Sequence, residues 1–349
     1  MKILEINTEK TWRGGERQTY YNIEGMLQQG LTLELLCRKN FPLSKKANEL
    51  HIPIYEINGP FGAIAFLLKN GKRYDIIHAQ TSKAQFYAVL TKWIHRRPVV
   101  YTRRVDFVPK GFTTFLKYHF TDKAIAISGV IKNILTDFKI KDVSVISDAI
   151  AAKTLDKKRV LQFIENNNWQ SKKIIATTAS FVQHKDPLTM VEAIAELHKL
   201  RNDFVFLHYG SGPLEAEVIK KINELQVSDC YKIMGFIDEV EDFFSVFDVF
   251  TMSSEEEGLG SSVLDAFIYK VPVASTDAGG LKEIINGRGL LSPVKNAKLL
   301  AENINTLLEN QPFTDSYKEK AYDYTVHYHS VEQIAIAYKL LFAKMLEKN

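Results

Sequence analysis

Short, almost wholly apolar segments alternate with amphipathic ones along this chain, and the series runs twice. That pattern restricts the fold more than any other feature. The first series predicts strands at 2–7, 31–37, 54–57, 76–78, 99–101, 124–127 and 143–146, with helices at 16–28 and 44–50 and helical patterns in the other gaps. The period breaks at 147–154 (SDAIAAKT), which reads as a linker. The second series predicts strands at 174–178, 204–208, 231–234, 249–252, 271–275 and 289–291, with helices at 187–200, 214–225, 262–269 and 296–309. Apolar strands alternating with helices mean a parallel sheet covered on both faces. The expected class is therefore α/β, with two doubly wound domains at 1–150 and 151–328. A closing segment, 329–349, carries a helix at 331–347 that is expected to pack back across the domain junction. The 349 residues suffice for two cores, and no short repeat is present. Open parallel sheets bind ligands at the carboxyl ends of their strands. Two domains facing a central cleft would thus put the chemistry on the loops that leave those strand ends.

Composition narrows the function classes. Hydrophobic residues at 46% and charged residues at 25% exclude a disordered or low-complexity chain. There is no run of about 18 apolar residues to span a bilayer. The opening MKILEINTEKTW carries charges where a secretion signal needs an apolar core, so a cytoplasmic protein is expected. Two cysteines, Cys37 and Cys230, read as buried thiols and supply neither a disulfide framework nor a thiolate zinc site. Charge is unevenly divided. Residues 1–150 hold 23 Lys+Arg against 13 Asp+Glu, and the remainder 22 against 28. A basic half points to an anionic partner: nucleic acid, anionic lipid or a phosphorylated acceptor. Ordinary surface lysines are the plainer reading.

Two constellations stand out. In TWRGGERQT, Gly14 and Gly15 lie between a strand and a helix, where paired glycines allow a tight turn and close approach of a ligand to the backbone. They do not make a GxGxxG fingerprint. In SSEEEGLGSSVLDAF, residues 253–267, an apolar strand runs into a loop and then a helix. Gly260, Ser261, Ser262 and Val263 sit at the helix N-terminus, where unpaired amides and the helix dipole suit a phosphate. Glu257 in the loop and Asp265 on the helix are eight apart and can share one cleft, where carboxylates accept hydrogen bonds from sugar hydroxyls. A solvated acidic run with an outward Asp265 is the alternative.

That stretch, continued by KVPVASTDAGGLKEII, resembles the signature of the family 4 retaining glycosyltransferases (glycosyl transferases group 1). The residues that carry the likeness are Ser253 or Ser254, Glu257-Gly258, Asp265-Ala266, Pro272-Val273, Gly279-Gly280 and Glu283. Further stations agree: Gly14-Gly15-Glu16, DIIH at 75–78, IAIS at 125–128, His184-Lys185-Asp186 and Gly210-Ser211-Gly212-Pro213. The likeness covers essentially the whole chain and is strongest over 174–295.

The resemblance implies a GT-B fold, two Rossmann-like domains around a cleft, the first binding acceptor and the second a nucleotide-diphosphate sugar. It implies that Asp265, where the family usually has Glu, grips the ribose, and that Glu257 contacts the donor sugar. The amides of Ser261–Val263 would face the diphosphate, and Gly15, Gly210 and Gly212 would let the donor pack close. Lys185 would neutralise the leaving diphosphate. The family's usual arginine is replaced by Ser180, so Arg103 and Arg104 become candidates for the missing cation. They come after a first-domain strand where many relatives carry a histidine. Gly14 and His78 are the acceptor-side candidates, although His78 also reads as a structural histidine. No cofactor is implied. No metal is expected either, because the triplet 255–257 lacks the separated positions of a cation cage.

The expected reaction is sugar transfer with retention, in synthesis of lipopolysaccharide, capsule or another bacterial surface glycan. The acceptor would be a glycan or lipid-linked molecule. Cations interleaved with aromatics over 96–123 suit a peripheral contact with an anionic membrane at its inner face. Stacking on nucleic acid would use the same residue types, but no nucleic-acid motif accompanies them. Rival readings from the residues are a nucleotide-sugar epimerase of the same fold, a two-lobed solute-binding protein and a degenerate non-catalytic partner subunit.

Overall fold

The computed structural model describes residues 1–237 and 239–347; the last two positions of the expected closing segment, Lys348 and Asn349, lie outside them. The chain divides into two compact units, Met1–Ala151 with Tyr328–Asn349, and Ala152–His327. Among the described residues there are thirteen strands and fourteen α-helices.

The first unit runs β1 (Lys2–Asn7), α1 (Gly14–Gln28), β2 (Thr32–Arg38), α2 (Pro42–Ala47), β3 (Ile54–Ile57), α3 (Pro60–Asn70), β4 (Ile76–Ala79), α4 (Ser82–His95), β5 (Val99–Arg103), α5 (Phe112–His119), β6 (Lys123–Ala126), α6 (Gly129–Asp137) and β7 (Val143–Val145). Its seven strands are parallel in the order β3-β2-β1-β4-β5-β6-β7. The order reverses between β1 and β4. That is the crevice where an open α/β sheet offers a ligand site.

The second unit runs α7 (Lys157–Asn166), β8 (Lys173–Thr178), α8 (Pro187–Leu200), β9 (Phe204–Tyr209), α9 (Glu215–Glu224), β10 (Tyr231–Gly235), β11 (Val249–Met252), α10 (Ser261–Ile268), β12 (Val273–Thr276), α11 (Gly280–Ile285), β13 (Leu290–Ser292), α12 (Ala297–Glu309) and α13 (Gln311–His329). Its six strands are also parallel, in the order β10-β9-β8-β11-β12-β13. Here the reversal lies between β8 and β11. The core packs Ile175, Val191, Phe206 and Leu300 between the sheet and its helices.

After α13 the chain re-enters the first unit as α14 (Val331–Leu346). Ile334, Ala335, Tyr338 and Phe342 recur on one face and are buried with Ile3 and Ile23. A Cβ at Gly25 of α1 would lie 2.8 Å from the Val331 carbonyl, so the glycine lets the two helices touch. All thirteen expected strands are present, with ends shifted by at most two residues. The sequence pattern does not predict α13. The face that α13 buries is mostly polar, Thr314, Thr325 and His329 beside Ala321, so the segment QPFTDSYKEKAYDYTVHYH shows no strongly apolar side.

Candidate functional site

In the second unit, β8 and β11 are hydrogen-bonded neighbours whose chains leave in opposite directions, so the loops after them meet. The loop after β8 ends in a turn of 3₁₀ helix at Gln183–Lys185 and then Asp186, whose φ of 43° bends the chain into α8. The Asp186 carboxylate caps α8, accepting from the Thr189 hydroxyl at 2.6 Å and its amide at 3.3 Å. The loop after β11 is laced to this one. Ser253 donates its hydroxyl to the carbonyls of Lys185 (3.1 Å) and Asp186 (2.8 Å). The amides of Glu255 and Glu256 donate to the His184 carbonyl at 2.9 and 3.2 Å.

This lacing brings Lys185 and Glu257 together. The Lys185 ammonium is bonded to Glu257 Oε2, both side chains being partly exposed. The Ser254 hydroxyl lies 3.5 Å from the same oxygen. From behind, the Gly280 amide donates to the Glu257 carbonyl at 2.8 Å. The contact is close enough that a Cβ at Gly279 would lie 2.3 Å from that oxygen. Three residues beyond Glu257, Gly260 precedes the first turn of α10, and its φ of 92° suits glycine. Ser261 and Ser262 open the helix, and Asp265 is buried on its second turn. The Val263 amide already donates to the Gly260 carbonyl at 2.9 Å. Of the three amides expected to face a diphosphate, those of Ser261 and Ser262 are therefore the ones a helix start leaves unpaired by its own turn. Lys185, Glu257, Gly260, Ser261, Ser262 and Asp265 thus share one end of one sheet. Ser180 is exposed on the loop after β8 and brings no cation.

Gly210 and Gly212 are explained by the unit itself. A Cβ at Gly210, φ 153°, would sit 2.0 Å from the Ala179 carbonyl oxygen, and one at Gly212 would sit 2.5 Å from that of Phe181. The turn after β9 is pressed against the loop after β8. Beneath it lies His208, fully enclosed, with burial pushing its pKa down to about 4. Nε2 is 3.0 Å from the Ala179 carbonyl and Nδ1 is 2.6 Å from the Tyr231 hydroxyl. A carbonyl only accepts, so Nε2 carries the proton and Nδ1 accepts from Tyr231.

In the first unit, Gly14 and Gly15 open α1, where the Glu16 carboxylate accepts from the Arg13 amide at 3.0 Å. Among the described residues, apart from its chain neighbours and the backbone of its own helix, no atom lies within 4 Å of a Cβ built at Gly15. Packing therefore does not require that glycine. His78 is placed differently from the acceptor-side expectation. It is wholly buried, with Nδ1 2.8 Å from Glu5 and Nε2 2.8 Å from the Thr102 hydroxyl, which meets Tyr338 at 3.1 Å. Both ring nitrogens are engaged inside the unit, so the ring has neither to offer an acceptor. The two arginines expected as open cations are engaged as well. Arg103 is buried, donating to the carbonyls of Val105 (2.9 Å) and Phe107 and to the Tyr118 hydroxyl (3.0 Å). Arg104 donates to Asp148 at 2.9 Å and Gln80 at 2.7 Å, and Gln80 donates to Glu5 at 2.7 Å. They shape the loops after β5 and β7. Sequence reasoning did not single out Glu5, Gln80 or Asp148. The available signal was a carboxylate in the middle of the apolar strand KILEIN, which folding buries only with partners.

Among the described residues, no three His, Cys, Asp or Glu side chains are grouped to hold a metal ion, and no helix is long and apolar enough to cross a membrane.

Two family models match the chain. "Glycosyltransferase Family 4" matches residues 12–152 and "Glycosyl transferases group 1" matches residues 160–324. A 2-deoxystreptamine glucosyltransferase of Streptomyces kanamyceticus is 32% identical over 34% of this chain and 32% of its own. The lipopolysaccharide core biosynthesis glycosyltransferase LpsE of Rhizobium meliloti is 27% identical over 49% of each chain. The matched stretches thus span between a third and a half of these relatives' length. The O-antigen biosynthesis glycosyltransferase WclY of Escherichia coli is 23% identical over 69% of this chain and 71% of its own. Among solved structures, HepE of Anabaena in complex with UDP and glucose superposes with a TM-score of 0.85 at 19% identity, covering 99% of this chain and 100% of that one. TarM of S. aureus, in a complex that includes UDP, does so with a TM-score of 0.80 at 14% identity, covering 98% and 99%. These likenesses show a shared GT-B fold.

Proposed function

The chain belongs to the family 4 glycosyltransferases, and from that premise we propose that it moves a sugar from a nucleotide-diphosphate donor to an acceptor hydroxyl with retention at the anomeric carbon. The observation that carries this reading is the Lys185–Glu257 pair beside the N-terminus of α10, with Asp265 buried on the same helix. A cation, a helix start and two carboxylates within one short stretch suit a ligand that is part diphosphate and part polyol.

In the proposed reaction the bond from the anomeric carbon to the leaving phosphate oxygen breaks, and a bond to the acceptor oxygen forms on the same face. The acceptor's proton passes to the departing phosphate. Lys185 and the Ser261 and Ser262 amides offset the charge that grows there. Lys185 is held by Glu257; a bound diphosphate would draw the ammonium away and leave the carboxylate to the sugar hydroxyls. Asp265 would take the ribose. Arg103 and Arg104 contribute through the loops they hold. The chemistry as proposed needs no metal.

UDP is the first nucleotide to test, because HepE has been solved with UDP and with UDP-glucose. The part that LpsE takes in lipopolysaccharide core biosynthesis and WclY in O-antigen biosynthesis supports a surface-glycan acceptor; we take it to be lipid-linked and met at the cytoplasmic face of an anionic membrane. The test is thermal stabilisation by UDP, GDP, ADP and CMP with and without EDTA, and then transfer assays with the matching sugar donors. One nucleotide raising the melting point regardless of EDTA is the expected result. Proton NMR of the product then reads the anomeric configuration. An inverted product would remove the retaining mechanism.

A further inference from the structure

The first unit carries an apolar surface that nothing in the donor site uses. Helices on a globular surface normally turn polar residues outward. On α3 the outward positions are Phe61, Ala65 and Leu68, spaced i, i+4, i+7; Phe61 is 88% exposed. On α4 they are Phe86, Leu90 and Trp93, at the same spacing; Trp93 is 72% exposed. α4 packs against both α3 and α5. A groove of about 660 Å³ beside it is lined by Leu90, Trp93, Arg96 and the exposed Phe120 just past α5. Among the described residues, seven Phe and Trp side chains are exposed, and six of them lie between positions 61 and 120.

The charges of this region are one-sided. Residues 57–121 hold eleven Lys and Arg against two acidic residues, Asp75 and Asp106. Lys69, Lys72, Arg96 and Lys110 are exposed within this stretch, while Lys83 is paired with Glu9 at 3.5 Å and Lys92, beside the groove, with Asp122 at 2.6 Å. Aromatic and aliphatic side chains ringed by cations match a bilayer interface, with rings at the headgroup–acyl boundary and cations on anionic headgroups. They match a second copy of the chain poorly. A two-fold interface brings the same patch against itself and would set these cations against each other.

We propose that the outward faces of α3 and α4, with Phe120, dock the first unit on an anionic lipid bilayer. The surface shares Arg96, Lys110 and Phe120 with the 96–123 segment suggested by sequence but is centred on α3 and α4; within that segment Tyr118 and Arg103 are buried and engaged. Its purpose rests on the proposed lipid-linked acceptor; its chemistry does not.

The test is co-sedimentation of the full chain with vesicles of phosphatidylglycerol and phosphatidylcholine, against phosphatidylcholine alone, together with Trp93→Glu and Phe61→Glu variants. Wild type should pellet with the anionic vesicles, and each variant should bind roughly tenfold less or worse. Because both side chains project into solvent, melting points and UDP-induced shifts should stay at wild-type values. Brominated lipid should quench tryptophan fluorescence in wild type and much less in Trp93→Phe, which keeps the apolar ring but removes that emitter. Unchanged pelleting in both glutamate variants would overturn the proposal. So would a wild type that ignores vesicles but self-associates through Trp93 in sedimentation velocity. A chain that pellets as expected yet shifts with no nucleotide would sink the donor reading and leave the docking surface standing.

Discussion

Gly15 and Gly210 both lie past the carboxyl end of a strand, and only Gly210 is required by its surroundings. A Cβ at Gly210 runs into the Ala179 carbonyl, whereas one at Gly15 meets open space. Gly210→Ala should therefore destabilise the second unit by about 2 kcal/mol or more, seen as a lower melting point. Gly15→Ala should leave the melting point within about 1 °C, since alanine is a better helix residue. Lys185→Ala should lower kcat by roughly 10² to 10³, the scale of losing one preorganised group at a developing oxyanion, while UDP still raises the melting point. On the donor side, Glu257 and Asp265 could be read together because they lie eight apart on one loop and helix start, whereas Lys185, 72 positions from Glu257, was reached only through the family resemblance. The first-unit residues could not be read to the same depth. His78 is fixed by Glu5, 73 positions away, and Arg104 by Asp148, 44 away. Such pairings are made by strand order, which no local spacing encodes.

At the scale of elements, the thirteen strands were legible because parallel strands buried on both faces are nearly continuous apolar runs. α13 was not, because the face it buries is mostly polar: Thr314, Thr325 and His329 beside Ala321. α14 shows the strength of such a stripe: Tyr338 and Phe342 are almost wholly buried in the first unit's core. Phe342→Ala should cost about 3–5 kcal/mol, measured by denaturant titration with first-unit probes. β9 gives a pH prediction. Folded His208 has a pKa of about 4, below the unfolded value near 6.5. Between those values the unfolded chain binds a proton that the folded chain refuses, so stability falls as the pH drops through that window and is level above it. The loss from this group should total roughly 3 kcal/mol by pH 4. His208→Gln should flatten that part of the slope whatever it does to stability at neutral pH. An unchanged slope would mean that other groups govern the acid loss.

Over the whole molecule, formal charge and apolar exposure are divided in the same way. The first 150 residues carry the excess of cations, the remainder the excess of acids, and the exposed rings cluster with the cations. A nucleotide and an anionic bilayer both carry negative charge, so charge alone would send both to the same half. Local chemistry separates them. Polyol and diphosphate contacts belong to the loops after β8 and β11; apolar insertion belongs to α3 and α4. Hydrogen exchange measured with each ligand should show two sets of slowed amides. UDP should protect residues 179–187 and 253–263, and anionic vesicles should protect 60–70 and 82–95. Raising salt to about 0.5 M shortens the Debye length to a few ångströms. That should release much of the vesicle-induced protection, because initial attraction depends on several exposed cations at once, and apolar insertion should hold the rest. UDP protection should weaken less, since its cation and helix amides meet the phosphates at contact distance. If vesicles instead slowed exchange on the acidic second unit, insertion there would have outweighed repulsion, and the assignment of the membrane to α3 and α4 would be wrong.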